Sequence, residues 1–163
     1  DVCDGFLGGH DKERKLEIMR DSLLGSYGVL ALIFSLLLRL VALGQIAESS
    51  YLVNAMIAIE TLSRLSPLYM MSFLNPARDN GLAAEMVGPA QNTLKQALIF
   101  SIIIIFLCLP ISAVILVLIS TGIVFYGMIK LCEHHIGGYT GDTCGAAQQG
   151  IAITLYCLLA FIL

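Results

Sequence analysis

Between Lys95 and Lys130 the chain carries no charged side chain. One helix over Leu94–Lys130 would extend about 55 Å at about 1.5 Å per residue, against a hydrocarbon core of about 30 Å. Pro110 interrupts the tract, and proline ends or kinks a helix. The tract is therefore predicted to be two short spans that turn near Pro110. Tyr27–Gly44 and Tyr51–Leu74 are also close to span length, and another apolar run starts at Gly150 and reaches Leu163. None of these runs alternates as a barrel strand would. Apolar residues make up 58% of the 163 and charged ones 13%, against about 25% charged in a soluble domain. The predicted fold class is all-α: a polytopic transmembrane helix bundle of about five spans. It is read as a single integral-membrane domain over 1–163.

Five spans place 1–26, 75–95 and 130–149 on one side. Those loops hold Lys12, Arg14, Lys15, Arg20, Arg78, Lys95 and Lys130, and the opposite loops hold no Lys or Arg. By the positive-inside rule the three loops are expected to be cytoplasmic. The chain has no basic tail and no aromatic-basic interleaving, which argues against nucleic acid as a partner. Its five cysteines form no CxxC pair and suggest no disulfide framework. His134 and His135 are adjacent, a poor spacing for joint metal ligation from one helix.

The polar stretch Gly137–Gln149, GGYTGDTCGAAQQ, stands between two apolar segments. Gly137, Gly138 and Gly141 could bring bare backbone N–H groups close to an anion, with the hydroxyl of Thr140 beside them. Asp142 supplies a lone carboxylate, a suitable ligand for Mg²⁺ accompanied by substrate phosphate. Asp1 and Asp4 are three apart and would share a helix face, as paired metal ligands do. Glu17 and Asp21, four apart, share a face of a charged helix. Glu60 and Arg64 are spaced for an ion pair inside a span, where charge is costly unless paired or wet. Arg39, also in a span, lies near its end and could snorkel. Carboxylates, glycine-rich backbone and arginines on one membrane face suit phosphoryl transfer.

DVCDG (1–5), GGHDKERKLEIMRDSLLGSYG (8–28), SR (63–64), ARDNGL (77–82) and GGYTGDTCGAAQQ (137–149) together resemble the cobalamin synthase family. These are adenosylcobinamide-GDP ribazoletransferases, and the resemblance covers nearly the whole chain. It implies a membrane-bound, Mg²⁺-dependent transferase that joins adenosylcobinamide-GDP to α-ribazole or α-ribazole 5′-phosphate and releases GMP. Asp1 and Asp4 match the tail of the family's aspartate-rich metal motif, so more of that motif is expected upstream of Asp1. Asp142 falls in the family's GGxTGD loop, and Glu17 and Asp21 in its EIM(K/R)DS block. With Asp1, Asp4 and Asp142 holding metal, Arg64 and Arg78 would meet phosphates. Gly137, Gly138, Thr140 and Gly141 would cradle the pyrophosphate. The expected location is the inner membrane, with the site facing the cytoplasm and other corrinoid-pathway enzymes as possible partners.

Two other classes fit parts of the pattern. A lipid phosphotransferase of the CDP-alcohol type also uses spaced aspartates, but its full DGxxAR…GxxxDxxxD spacing is absent. A transport or assembly protein would account for Glu60 and Arg64 in a span, but less well for the glycine and carboxylate gathered in same-side loops. The topology is tested by single-cysteine labelling at positions 11, 80 and 48 in a cysteine-free background. An impermeant reagent added outside intact cells is expected to modify only position 48; modification at 11 or 80 would overturn the sidedness.

Overall fold

A computed structural model describes residues 1–21, 23–78 and 88–163. Eight helices lie among them: α1 (Val2–Gly8), α2 (Lys12–Ile18), α3 (Ser26–Ile46), α4 (Leu52–Ser63), α5 (Leu65–Phe73), α6 (Gln91–Cys108), α7 (Ile111–Ile136) and α8 (Gly141–Ile162). Asp79, Asn80, Gly81 and Glu85, from the loop expected over 75–95, lie outside the described residues.

Four helices, α3, α6, α7 and α8, are each long and apolar enough to cross a membrane. The break at Pro110 falls where the bilayer thickness requires it, with Pro110 as the residue that caps α7. The fifth expected span, Tyr51–Leu74, is divided at Arg64 into α4 and α5, neither long enough alone. Pro67 explains the division. In a continuous helix its ring would collide with the carbonyl four residues back, on Ser63, and it offers no N–H in return. The hydroxyl of Ser66 donates to that freed carbonyl at 2.8 Å.

The stretch 130–149, expected as a loop, is also largely helical. The helix α7 runs on to Ile136 and α8 begins at Gly141, leaving only residues 137–140 outside regular structure. A capping box starts α8: the Thr140 N–H donates to Thr143 Oγ1 at 2.8 Å, and the Thr143 N–H donates back to Thr140 Oγ1 at 3.3 Å.

The bundle is organised around α8, which packs against α3, α4, α5 and α7 and also touches α1. Ala147, Ile151, Ala152, Leu155, Tyr156 and Leu159 form its buried side. Small residues such as Ala147 and Ala152 let neighbouring backbones approach closely, the usual basis of helix packing in lipid. The outer surfaces are the reverse. Leu30, Ile33, Phe34, Leu37, Leu40 and Val41 of α3 are all exposed, as a lipid-facing side requires.

The polar segments meet at one end of the bundle. A parallel bridge pairs Pro76 with Tyr139, with the Ala77 N–H on Tyr139 O at 2.8 Å and the Tyr139 N–H on Asn75 O at 2.9 Å. Gly138 is required at this crossing. A Cβ there would press on the carbonyl oxygen of Asn75 and lie 2.9 Å from Ala77 N.

The helix α1 is fixed to α3 by one side chain. Asp4, 7% exposed, accepts the Gly25 N–H on Oδ2 and the Gly28 N–H on Oδ1, each at 2.9 Å. Gly25 is the N-cap of α3, so Asp4 caps that helix from outside its own sequence. The carboxylate approaches so closely that a Cβ at Gly25 or Gly28 would collide with it. Asp4→Asn sets an amide NH₂ against one of these N–H donors and leaves it unpaired. It is expected to cost about 1–3 kcal/mol, read as a lower melting temperature of the detergent-solubilised protein. Unchanged melting would contradict the cap.

Candidate functional site

Beside the Asp4 cap, between α1, α3 and α8, lies a cavity of about 450 Å³. Asp142 and Asp1 line it together, and Gly28, Ser35 and Gln149 are also in its wall. From α8 it takes Asp142, Ala146, Gln149, Gly150 and Ile153, the i, i+4, i+7, i+8, i+11 positions of one helix face. Two carboxylates that stand far apart in sequence therefore open into one space.

The other carboxylates are separated from these two by what they bind. Asp4 caps α3. Asp11 accepts the Arg14 N–H at 2.8 Å, and Glu17 pairs with Arg14 at 2.6 Å on the exposed face of α2. Asp21 accepts the Leu23 N–H at 3.0 Å. Glu60 pairs with Arg64 at 3.0 Å and Glu133 with Lys130 at 2.7 Å. Among the described residues, the Asp1 side chain makes no capping bond to its helix, and neither the Asp1 nor the Asp142 side chain makes a hydrogen bond or ion pair. Glu13 and Glu48, exposed like Asp1, share that freedom but do not line the cavity.

Glu17, Asp21 and Arg64, singled out from the sequence, are not among the residues that line this cavity. Asp4 shares α1 with Asp1, but its two oxygens are directed to the start of α3. No group of three or more His, Cys, Asp or Glu side chains is arranged to hold a metal ion among the described residues. Two carboxylates nevertheless suit Mg²⁺, which is held by one or two protein carboxylates with water and substrate phosphate completing its shell.

The glycine-rich turn has mostly structural work. Gly137 adopts φ 66°, the left-handed conformation that ends α7, and its N–H donates to Glu133 O at 3.2 Å. The N–H groups of Tyr139 and Thr140 are engaged by Asn75 and Thr143. Gly138 is filled by the crossing strap, and Thr140 is buried in its capping box. An anion nest across Gly137–Thr140 would have to break these bonds. Gly141 differs: a Cβ there would meet nothing within 4 Å, and it opens the first turn of α8 next to Asp142.

Arg78 is likewise not among the residues that line the cavity, although the charge of Asp142 reaches it. Its Nη2 donates to Leu16 O at 2.9 Å, tying residues 75–78 to α2, and its Nε is buried without a partner among the described residues. Burial lowers its pKa, Arg20 lowers it further, and the charge of Asp142 acts in the opposite direction. Two arginines and Asp142 therefore share one field. Arg20 has no assigned role in the sequence reading, because a cation on a charged helix carries no signal of its partner. Gln149 and Ser35 were likewise missed, although Gln149 lies seven residues from Asp142 and shares its helix face.

A family model described as cobalamin-5-phosphate synthase matches residues 1–160. A protein of Azorhizobium caulinodans named adenosylcobinamide-GDP ribazoletransferase is 40% identical across the whole chain, which covers 62% of that protein. Relatives of the same name from Shewanella pealeana (41% identical, 98% of this chain and 63% of theirs) and Allorhizobium ampelinum (36%, 100% and 65%) also match. The chain thus spans a little under two thirds of the length of these relatives. No solved structure matches. The match over residues 1–160 includes Asp1, Asp142 and every other residue of the cavity, and with it the chain belongs to the cobalamin-5-phosphate synthase family.

Proposed function

We propose that this chain forms the phosphoryl-transfer site of an adenosylcobinamide-GDP ribazoletransferase. The acceptor would be α-ribazole or its 5′-phosphate, and the leaving group GMP. The observation that carries the reading is the pairing of Asp1 and Asp142, two uncommitted carboxylates on one cavity, in a chain of this family. The relatives' shared name supports the donor substrate.

Asp1 and Asp142 would hold Mg²⁺, which when bound neutralises charge on a diphosphate and orients an in-line displacement. The protein's own groups would do the rest. Arg78, already tied to α2, would meet a phosphate oxygen with the unsatisfied side of its guanidinium, and Arg20 adds positive field beside it. The first-turn N–H groups of α8, at Gly141 and Asp142, have no intrahelical acceptors and favour an anion. The apolar residues Ala146 and Ile153 would limit water around the reacting groups. The cation-rich end of the bundle supports a cytoplasm-facing site in the inner membrane.

Asp142→Asn in the full-length enzyme keeps the size of the side chain and removes its charge. Turnover is expected to fall roughly 100-fold, the scale of losing one electrostatic contact in the transition state, with melting unchanged. Gly141→Ala is sterically free in the protein itself, so any loss of turnover would report substrate packed against that helix end. The assay is GMP release from adenosylcobinamide-GDP with α-ribazole added. Full activity in Asp142→Asn would refute the site. Transfer to diacylglycerol or inositol, with no response to α-ribazole, would refute the substrate class.

A further inference from the structure

Arg39 is the one charged residue of α3, fourteenth in a helix otherwise fit to cross a membrane. At about 1.5 Å per residue it stands about 10 Å from the nearer helix end. Among the described residues its one hydrogen bond runs from Nη2 to Gln149 Oε1 on α8, at 2.6 Å. Its Nε is buried without a partner, and no carboxylate lies within ion-pair distance of it. The guanidinium lies 5.5 Å from the ring centroid of Tyr156. A guanidinium has no acceptor, so Gln149 turns its amide oxygen to Arg39 and its NH₂ away. Gln149 is exposed, and its NH₂ has no partner among the described residues.

Lipid cannot satisfy these groups. A charge or an unpaired amide facing hydrocarbon costs free energy, so such residues turn to the interior of a bundle. The far side of α3 is different: Leu30, Phe34, Leu37 and Val41 are exposed and wholly apolar, as suits lipid. On the near side Gly28, Ala31, Ser35 and Arg39 recur at i, i+3, i+7 and i+11. Ala146 and Gly150 of α8 stand across the groove from them. Small residues at such spacing admit another helix closely. Leu32, 53% exposed, and Ile153 line the same groove, and the Ser35 hydroxyl is satisfied within its own helix, on Leu32 O at 2.7 Å. Below Asp1 and Asp142 the groove is therefore apolar except at Gln149 and Arg39. A water channel would be polar along its length; this surface is one for packing.

We infer that the groove between α3 and α8, from Ser35 to Arg39, is the seat of a membrane-spanning helix from the part of the full-length protein outside residues 1–163, and that this helix sets a carboxylate against Arg39. Two facts identify the occupant. The relatives are longer: more than a third of each lies outside the match, several times the about 20 residues that one span needs. The guanidinium is uncompensated, so charge complementarity calls for a carboxylate and not for an acyl chain. A segment of the same molecule also meets the groove at a high effective concentration, which a separate copy lacks. The helix closes the cavity toward the lipid and leaves the end with Asp1 and Asp142 open. The inference stands whatever reaction that end performs.

A photo-activated cross-linker tests the occupant in the full-length protein in its membrane. With p-benzoylphenylalanine in place of Leu32, illumination is expected to join that position to a peptide outside residues 1–163 of the same molecule. The product is read as a monomer-sized band and by mass spectrometry of its digest. The same probe in place of Gln149 serves if the Leu32 variant fails to fold. A lipid adduct, a band of two joined copies, or no adduct at either position would overturn the seat. The charge is tested separately. Arg39→Leu strands the carboxylate and is expected to lower the melting temperature of the full-length protein. Neutralising the carboxylate of the cross-linked helix in the same variant, Asp to Asn or Glu to Gln, is expected to recover most of that loss. Unchanged melting, no recovery, or a helix without a carboxylate at that level would overturn the pairing.

Discussion

The arrangement of the site depends on one carboxylate that does not face it. Asp4 accepts the N–H groups of Gly25 and Gly28 and so joins α1 to the first turn of α3. The first helical N–H groups of a membrane-spanning helix need acceptors, and α3 has no side-chain cap of its own. Asp4 supplies both bonds at once. With Asp4 fixed, Asp1, one turn earlier on α1, lies against the gap between α3 and α8. Gly25 and Gly28 are glycines because the carboxylate occupies the space where a Cβ would stand.

The other fixed point is the turn into α8. The strap crossing at Gly138 and the capping box at Thr140 set where α8 begins, and so place Asp142 in its first turn. The side chains of Asp1 and Asp142 make no hydrogen bond or ion pair among the described residues, and both residues line one cavity. Asp1 is exposed and Asp142 half-buried, so water or a ligand can reach both. Chemistry is therefore best sought among polar groups near a cavity that the fold leaves unsatisfied.

The sequence showed the class of fold clearly and the site unevenly. Pro110 was legible because the tract around it exceeds the membrane thickness. Pro67 was not, because Tyr51–Leu74 already had the length of one span, and the break shows only in the division at Arg64 and the Ser66 hydroxyl on the Ser63 carbonyl. The run at 137–149 looked like a phosphate loop because glycines and polar residues also begin and end helices. In the structure Gly137 ends α7, Gly138 admits the strap, and Thr140 starts α8. Spacing placed Asp1 and Asp4 on one helix face without separating their roles, since Asp4's partners lie more than twenty residues away. Glu17 and Asp21 looked equivalent to the others until their partners, Arg14 and the Leu23 N–H, were seen. The place of Arg39 beside Gln149 depends on how α3 packs on α8, which no local pattern encodes.

The central claim is that the cavity between α3 and α8 is the metal and phosphate site. It is tested most directly by an experimental structure of the full-length protein with Mn²⁺ in place of Mg²⁺ and with GDP bound. The expected result is Mn²⁺ between Asp1 and Asp142, with the diphosphate beside Arg78 and the first turn of α8. Mn²⁺ held instead by Glu17 and Asp21, with the diphosphate outside the cavity, would contradict it.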